Sequence, residues 1–337
     1  MRSKEIKQLL KDQLRAGSGE NELGSIFLWG SPGIGKSAVV AEVAKEEGVG
    51  CIDFRLTLCD PTDLRGIPIP YTGKDGEQTA KWIAPSELPR NGKGFLFFDD
   101  FPTAPPLVQA SAYQIAIKPH QLGEYKLPEG YVIVGAGNTM KDRSLARAMP
   151  KALSNRFAHI TYEVNYEDWS DWGIKNGIHE AVLGYIHFKP DHLHVFNPES
   201  SEEAFATPRS WEQTSRILKI VKDESIQAQA IAGSVGQGIA ATFQAFLKVR
   251  NELPNLDKIF DGENIVPDRM DLKYAIVTSL ATRAKTTQFD RLIDYSSHLT
   301  DELAVLLVKL LMSKDRQSVG MCKNWRPFAQ KHKELVL

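Results

Sequence analysis

Residues 30–37 read "GSPGIGKS", a complete G-x-x-x-x-G-K-[ST] pattern. A short apolar run precedes it, "SIFLW" (25–29), and a helix-like one follows, "SAVVAEVAKEEG" (37–48). Strand, glycine-rich turn and helix in that order are the context in which such a loop cradles phosphate. The glycines let backbone N–H groups converge on an anion at a helix N-terminus. Gly30, Ser31, Pro32, Gly33, Ile34, Gly35, Lys36 and Ser37 are therefore the candidate phosphate-binding residues. Lys36 would reach the terminal phosphate oxygens, and the Ser37 hydroxyl a magnesium ion. The competing reading, a Gly/Pro-rich turn that matches by chance, leaves the flanking strand and helix unexplained.

Further along, "GFLFFDDF" (94–101) ends an apolar run on two adjacent carboxylates. An unpaired carboxylate withdrawn from water costs several kcal/mol. In a strand running beside the phosphate loop the pair has a use: Asp99 holds the magnesium shell and Asp100 polarises the attacking water. Without the loop, "DDFP" would read as a strand-end cap. Around these stretches, Ile6, Leu9, Leu10 and Leu14 predict a helix closed at Gly17, "CIDFRLTL" (51–58) and "YVIVGAG" (131–137) predict strands, and "PPLVQASAYQIAI" (105–117) predicts a helix. Apolar strands alternating with helices predict an α/β fold, a three-layer P-loop NTPase core with a parallel sheet covered on both faces.

After about residue 160 the pattern becomes helical, in "SWEQTSRILKIVKD" (210–223), "SVGQGIAATFQAFLKVRNEL" (234–253) and "TDELAVLLVKLLMSK" (300–314). The expected division is an α/β core over 1–160 and a mostly helical lid domain over 161–337, a natural size for two domains. Between "CIDFRLTL" and the paired acids, residues 63–85 form a Gly/Pro-rich insertion with a hairpin signal at "GKDG" (73–76).

Composition narrows the classes of function. With 41 basic against 42 acidic side chains, no global field draws the chain onto nucleic acid or an anionic membrane. The three cysteines form no CxxC pair, so neither a disulfide framework nor a zinc knuckle is indicated. The N-terminus lacks an apolar signal core, and "LAVLLVKLLM" (303–312) is too short to span a bilayer and is interrupted by Lys309, so a cytoplasmic protein is expected. His187, His192 and His194 in "HFKPDHLHVF" (187–196) do not complete a metal shell and read as surface and packing residues.

Several stretches in fixed order carry a resemblance: "LWGSPGIGKS", "DPTDLRGIPIP", "FLFFDDFPTAPPLVQASAYQ", "LGEYKLPEGYVIVGAGN", "MPKALSNRF" and "TPRSWE". From the N-terminal helix to about residue 215 the chain resembles MoxR-type AAA+ ATPases, and the remainder matches only as a helical lid. The resemblance implies roles position by position. Asn138 matches the sensor-1 residue that helps orient the lytic water, Arg156 the arginine finger that reaches the neighbouring subunit's ATP, and Arg209 the sensor-2 residue that touches the nucleotide of its own chain. Asp100 departs from the family pattern, which has Glu there, and this bears on the rate of hydrolysis.

Each position also has a plain reading: Asn138 as a turn residue after glycine, Arg209 as a helix N-terminal residue beside Pro208, Arg156 as one basic residue among Lys141, Arg143, Arg147 and Lys151. That basic cluster, with Asp142 as its one acid, reads as facing a neighbour's triphosphate, because no interleaved aromatics suggest base stacking. In a ring ATPase the 63–85 insertion faces the central pore. Ile67, Ile69, Tyr71 and Trp82 are then candidates for touching a client, and ordinary hairpin packing accounts for them equally well.

The expectation is a Mg-ATP-dependent ATPase (cofactors ATP and Mg2+) forming a homo-oligomeric, hexameric ring that remodels a protein client. The resemblance suggests a protein with a von Willebrand A domain as that partner, with no nucleic acid or membrane involved. Two rivals stay open: a nucleic-acid-directed AAA+ motor or clamp loader, and a nucleotide-gated scaffold with little hydrolysis, which Asp100 suggests. A small-molecule P-loop kinase is disfavoured, since it needs neither Arg156 nor Arg209.

Overall fold

The computed structural model describes residues 1–17, 23–139, 142, 149, 151–249 and 252–333. By its contacts the chain divides into two compact units, Met1–Asn165 with Asn197–Ser200, and Tyr166–Phe196 with Ser201–Leu337.

The first unit contains helices α1 (Ser3–Ala16), α2 (Lys36–Glu47), α3 (Pro61–Arg65), α4 (Pro106–Ala116) and α5 (Lys151–Ser154). Its strands are β1 (Ser25–Trp29), β2 (Gly50–Arg55), β3 (Ile67–Thr72), β4 (Gln78–Ile83), β5 (Lys93–Asp99), β6 (Gln121–Leu122), β7 (Tyr125–Lys126), β8 (Gly130–Gly137) and β9 (Phe157–Thr161). Five strands form one sheet in the order β2-β5-β8-β1-β9, and every pairing in it is parallel. The unbroken apolar run of β5 follows from cover on both faces. Phe95 and Phe97 pack with Ile6 and Leu10 of α1 and Val39 and Val43 of α2, while Leu96 and Phe98 pack with Val108, Ala112 and Ile115 of α4.

Two expectations need correction in this unit, and one strand lay outside them. The strand that ends on the paired acids does not lie beside the strand of the phosphate loop: β8 separates β5 from β1. The strand expected over 51–58 stops at Arg55, and Leu56–Leu58 form a 3-10 turn that buries Leu56 and leaves Leu58 79% exposed. The edge strand β9 was not anticipated, because only Phe157 of its five residues is buried and the run therefore lacks an apolar signature.

Strands β3 and β4 pair antiparallel from Ile67↔Ile83 to Thr72↔Gln78, and Gly73 N–H donates to the Glu77 carbonyl at 2.8 Å to close the turn. Alternation along the pair gathers Ile67, Ile69, Tyr71 and Ile83 on one face, all exposed. The Lys81 ammonium stands 5.6 Å from the Tyr71 ring centre and the Arg65 guanidinium 5.0 Å from that of Trp82.

The second unit is helical: α6 (Tyr166–Lys175), α7 (Glu180–Phe188), α8 (Pro208–Ile220), α9 (Glu224–Val235), α10 (Gln237–Val249), α11 (Leu256–Phe260), α12 (Met270–Arg283), α13 (Phe289–Ser296), α14 (Asp301–Lys314), α15 (Arg316–Met321) and α16 (Trp325–Lys331). Buried Tyr185, Trp211 and Phe243 meet in edge-on and tilted contacts with ring centres 5.0–5.4 Å apart, an arrangement favourable for aromatic quadrupoles. The single helix expected over 234–253 is two helices. Gly236 donates its N–H to the Ala232 carbonyl, ending α9, and accepts from the Ala240 N–H, opening α10. Among the described residues no helix is long and apolar enough to cross a membrane. The architecture is a P-loop NTPase α/β core and a helical unit.

Candidate functional site

The site begins where β1 runs out. Beyond Trp29 the chain turns through Gly30–Gly35 and enters α2 at Lys36. Gly35 caps the helix with φ 98°, a backbone region closed to side chains with a Cβ at low cost. No acidic side chain stands in the first turn of α2 and no side chain caps it. The helix dipole and its orphan N–H groups are thus left for an anion.

Lys36 is 8% exposed, and its ammonium donates to the Gly30 carbonyl at 2.8 Å, the Ser31 carbonyl at 3.0 Å and Asn138 Oδ1 at 2.8 Å. A buried cation needs such acceptors, and all three lie on the rim of the phosphate loop or beside it. Asn138 is there because β8, which it follows, pairs directly with β1 in the register Trp29↔Gly137. The sheet order thus delivers the residue likened to sensor 1 to the lysine. Ser31, Pro32 and Gly33 are half-buried, Ile34 is buried, and Ser37 sits half-buried in the first turn of α2.

Asp99 ends β5 on the far side of β8. Burial, then the neighbouring charge of Asp100, raises its carboxyl above the ordinary carboxylate range, against the opposing pull of the Asp100 N–H and Lys36. Asp53 of β2 is also raised, by burial first and by Asp100 as well, with Arg55 opposing. Three acids therefore share this end of the sheet with one buried cation, an arrangement that a hard divalent ion relieves. The donor set fits Mg2+ bound mainly through phosphate: one carboxylate, Asp99, and one hydroxyl, Ser37. Among the described residues no group of three His, Cys, Asp or Glu is placed to hold a metal by itself.

Asp100 has φ 54°, the left-handed region. Its N–H donates to Asp99 Oδ1 at 3.0 Å, and its carbonyl accepts from the Thr103 N–H at 3.0 Å and the Thr103 hydroxyl at 2.8 Å. Asp and Asn are several-fold enriched among residues with positive φ. The left-handed backbone at this position therefore suits Asp.

Arg156 is exposed in the turn between α5 and β9. Arg209 is exposed at the second position of α8 in the helical unit, and its turn is framed by a reciprocal cap: Ser210 N–H donates to Thr207 Oγ1 at 3.1 Å and Thr207 N–H to Ser210 Oγ at 2.8 Å. Of the basic cluster, Lys151 is exposed on α5, while Lys141, Arg143 and Arg147 lie outside the described residues. The three histidines of 187–196 belong to the helical unit. His187 is half-buried, with Nε2 2.6 Å from the Ser170 hydroxyl, and desolvation pushes its imidazole down to about 4. His192 Nδ1 meets the Tyr185 hydroxyl at 2.6 Å.

Sequence reasoning missed Asp142 as a site residue and treated it only as the acid within a basic run. Its carboxylate accepts from Thr139 N–H and Thr139 Oγ1, each at 2.8 Å, and from the Ser31 hydroxyl at 3.2 Å, so it ties the phosphate loop to the turn after Asn138. The T-x-x-D spacing of Thr139 and Asp142 was the available signal.

Fold and site together define the class: a P-loop NTPase α/β core followed by a helical unit. No protein-family model matches the chain. Midasin of Giardia intestinalis is 27% identical over 172 residues, 48% of this chain, and the match spans 4% of Midasin's length. RuvB of Thermotoga maritima is similar in structure at a TM-score of 0.42 and 16% identity, over 82% of each chain. A Cytophaga hutchinsonii protein described as a "putative ATPase" aligns over 98% of this chain and 88% of its own at a TM-score of 0.34 and 13% identity. At such scores the class rests on the strand order and the phosphate loop.

Proposed function

We propose that the protein is a Mg-ATP-dependent ATPase of the MoxR type that assembles into a ring and remodels a protein client. The observation that carries the ATPase reading is the Lys36–Asn138 contact of 2.8 Å, which joins the cation of the phosphate loop to the polar residue at the end of the adjacent strand. ATP would draw the ammonium onto its β/γ oxygens, and Asn138 Oδ1, released from the lysine, would orient the attacking water. Asp99 and Ser37 would hold Mg2+, which neutralises charge on the phosphates. Asp100 would accept the water's proton. Arg156, exposed and unburdened by a buried role, suits action on a neighbouring copy, and Arg209 suits contact with the nucleotide of its own chain.

Assembly is the remaining element of this reading, and the hairpin's exposed Ile67, Ile69 and Tyr71 on one face, with half-buried Trp82 on the other, supply apolar side chains for a client. A second reading, a nucleotide-gated scaffold with slow turnover, is favoured by Asp100 alone, whose carboxylate is one methylene shorter than Glu. Phosphate release at saturating Mg-ATP, measured for wild type and Lys36→Ala with particle mass recorded in parallel, tests both. Turnover lost in the variant, with an ATP-dependent oligomer, supports the ring ATPase. Equal release by the two proteins overturns it, and binding without release favours the scaffold.

A further inference from the structure

Trp29, the last residue of β1, sits directly before Gly30, whose carbonyl holds the Lys36 ammonium. Its indole N–H donates to His159 Nδ1 at 2.7 Å, and the two rings stack with centres 5.9 Å apart and planes 23° from parallel. An indole can only donate, so Nδ1 must be the acceptor and the imidazole proton sits on Nε2. That nitrogen lies 2.8 Å from the Ser154 carbonyl and 3.0 Å from the Ser154 hydroxyl. The tautomer is thereby fixed: His159 accepts from the phosphate-loop strand through one nitrogen and donates to the end of α5 through the other.

Arg156 stands two residues beyond Ser154. Its turn is pinned on the other side by Phe157, which is 7% exposed and in register with Ser25 of β1. Asn155 N–H donates to the Lys151 carbonyl at 3.0 Å, closing α5 against the turn. A set of contacts thus runs Lys36, Gly30, Trp29, His159, Ser154, and Arg156 follows Ser154 two residues further along the chain. Sequence motifs account for its first and last members, and nothing in the motif assigns the middle.

We propose that His159 is a positioning residue that couples the phosphate loop of a subunit to the arginine this same subunit offers to the ATP of a second copy of the chain. The proposal rests on the reading of Arg156 as a residue acting in trans. Any shift of Gly30 when Lys36 changes partner reaches Trp29 through one peptide bond, and reaches the Arg156 turn through the hydrogen bonds on the two nitrogens of the His159 ring. Since an error of about 1 Å in the placement of a catalytic group can cost about 10²-fold in rate, a rigid strut between the two sites matters even though it touches neither nucleotide.

The test uses His159→Phe in the full chain, which keeps an aromatic ring against Trp29 and removes both hydrogen bonds. ATP turnover by the assembled protein should fall about 10- to 100-fold, with KM for ATP within about twofold and an unchanged melting temperature. Mixing with Lys36→Ala protein should restore turnover, because the Lys36→Ala copy supplies a correctly held Arg156 to the intact phosphate loop of the His159→Phe copy. A rise in KM without rescue on mixing would place His159 in service of its own loop only and overturn the proposal, as would unchanged turnover. Should His159→Phe fail to fold, Trp29→Phe breaks the strut at its other end, and the same outcomes apply. Arg156→Ala mixed with Lys36→Ala separates the two levels. No rescue there overturns the trans reading and the proposal with it, whereas rescue there but none for His159→Phe overturns the proposal alone.

Discussion

The ammonium of Lys36, at the start of α2, and the amide oxygen of Asn138, just after β8, are hydrogen-bonded at 2.8 Å although 102 residues apart in sequence. Before nucleotide arrives, each thus occupies the other, and two substitutions at Asn138 should pull the site in opposite directions. The contact already has a charged donor, and Asn138→Asp adds a full negative charge at the acceptor, turning it into an ion pair. It should weaken ATP binding about tenfold by competing for Lys36. Asn138→Ala removes the competitor and the water-orienting group together, so ATP should bind at least as tightly while kcat falls about 10²-fold, in the range seen when one transition-state donor is removed. Calorimetric affinity and single-turnover hydrolysis for both variants check this.

Lys36→Ala should abolish ATP binding measurable by calorimetry and leave the circular dichroism spectrum intact, because the lysine packs at the rim of the loop and outside the two apolar layers of the core. Retained affinity would mean that the loop does not hold phosphate.

The raised carboxyl of Asp99 gives a pH signature. In the folded state this acid holds its proton more tightly than in the unfolded chain, so ionising it destabilises the fold, and its contribution to stability falls as pH rises from the ordinary Asp value of about 3.9 through the folded one. Asp99→Asn should therefore raise the melting temperature of the nucleotide-free protein at pH 7, and the gain should fade below about pH 4. The same variant should need more Mg2+ for half-maximal turnover. Thermal melts across pH and a magnesium titration measure the two effects.

Asp100→Asn should trap bound ATP, since the amide keeps shape and hydrogen bonding but accepts no proton. Asp100→Glu tests two opposed terms. The longer side chain reaches farther toward the water, yet the φ of 54° suits Asp better than Glu. Turnover should hold or rise, with a lower melting temperature. Equal phosphate release by wild type and Asp100→Asn would reduce Asp100 to a strand-end cap.

Asp142→Ala should raise KM for ATP about three- to tenfold with a smaller change in kcat, because it frees the Ser31 hydroxyl and the turn after Asn138 without removing a group likened to a catalytic one. That range corresponds to a loss of roughly 0.6–1.4 kcal/mol in ATP binding. Initial-rate kinetics decide it.

The phosphate loop was legible because its requirements are local: glycine where φ is positive, a lysine at fixed spacing, a helix after a strand. The apolar character of β5 was legible for the same reason. What separates Asp99 from Lys36 was not, because strand order is set by crossovers between residues far apart in sequence, and no local pattern says that β8 comes between. The Trp29–His159 contact spans 130 residues and leaves a sequence trace no stronger than one aromatic and one histidine. The edge strand β9 and the break at Gly236 were hidden for opposite reasons. One has too few apolar residues to signal a strand, and the other sits inside a pattern that reads continuously as helix.

The hairpin of β3 and β4 leaves and rejoins the core through a narrow neck. A Cβ on Gly66 would stand 1.9 Å from the Ile83 carbonyl oxygen, so the two stems cross with no room for a side chain between them. Strands β2 and β5 pair with each other directly, in a register running from Gly50↔Gly94 to Arg55↔Asp99 that involves no residue of the hairpin. The hairpin is thus a cassette. Its length, charge and apolar face can diverge under selection, or be exchanged between chimeras at residues 66 and 84, while the sheet that carries Asp99 keeps its alignment.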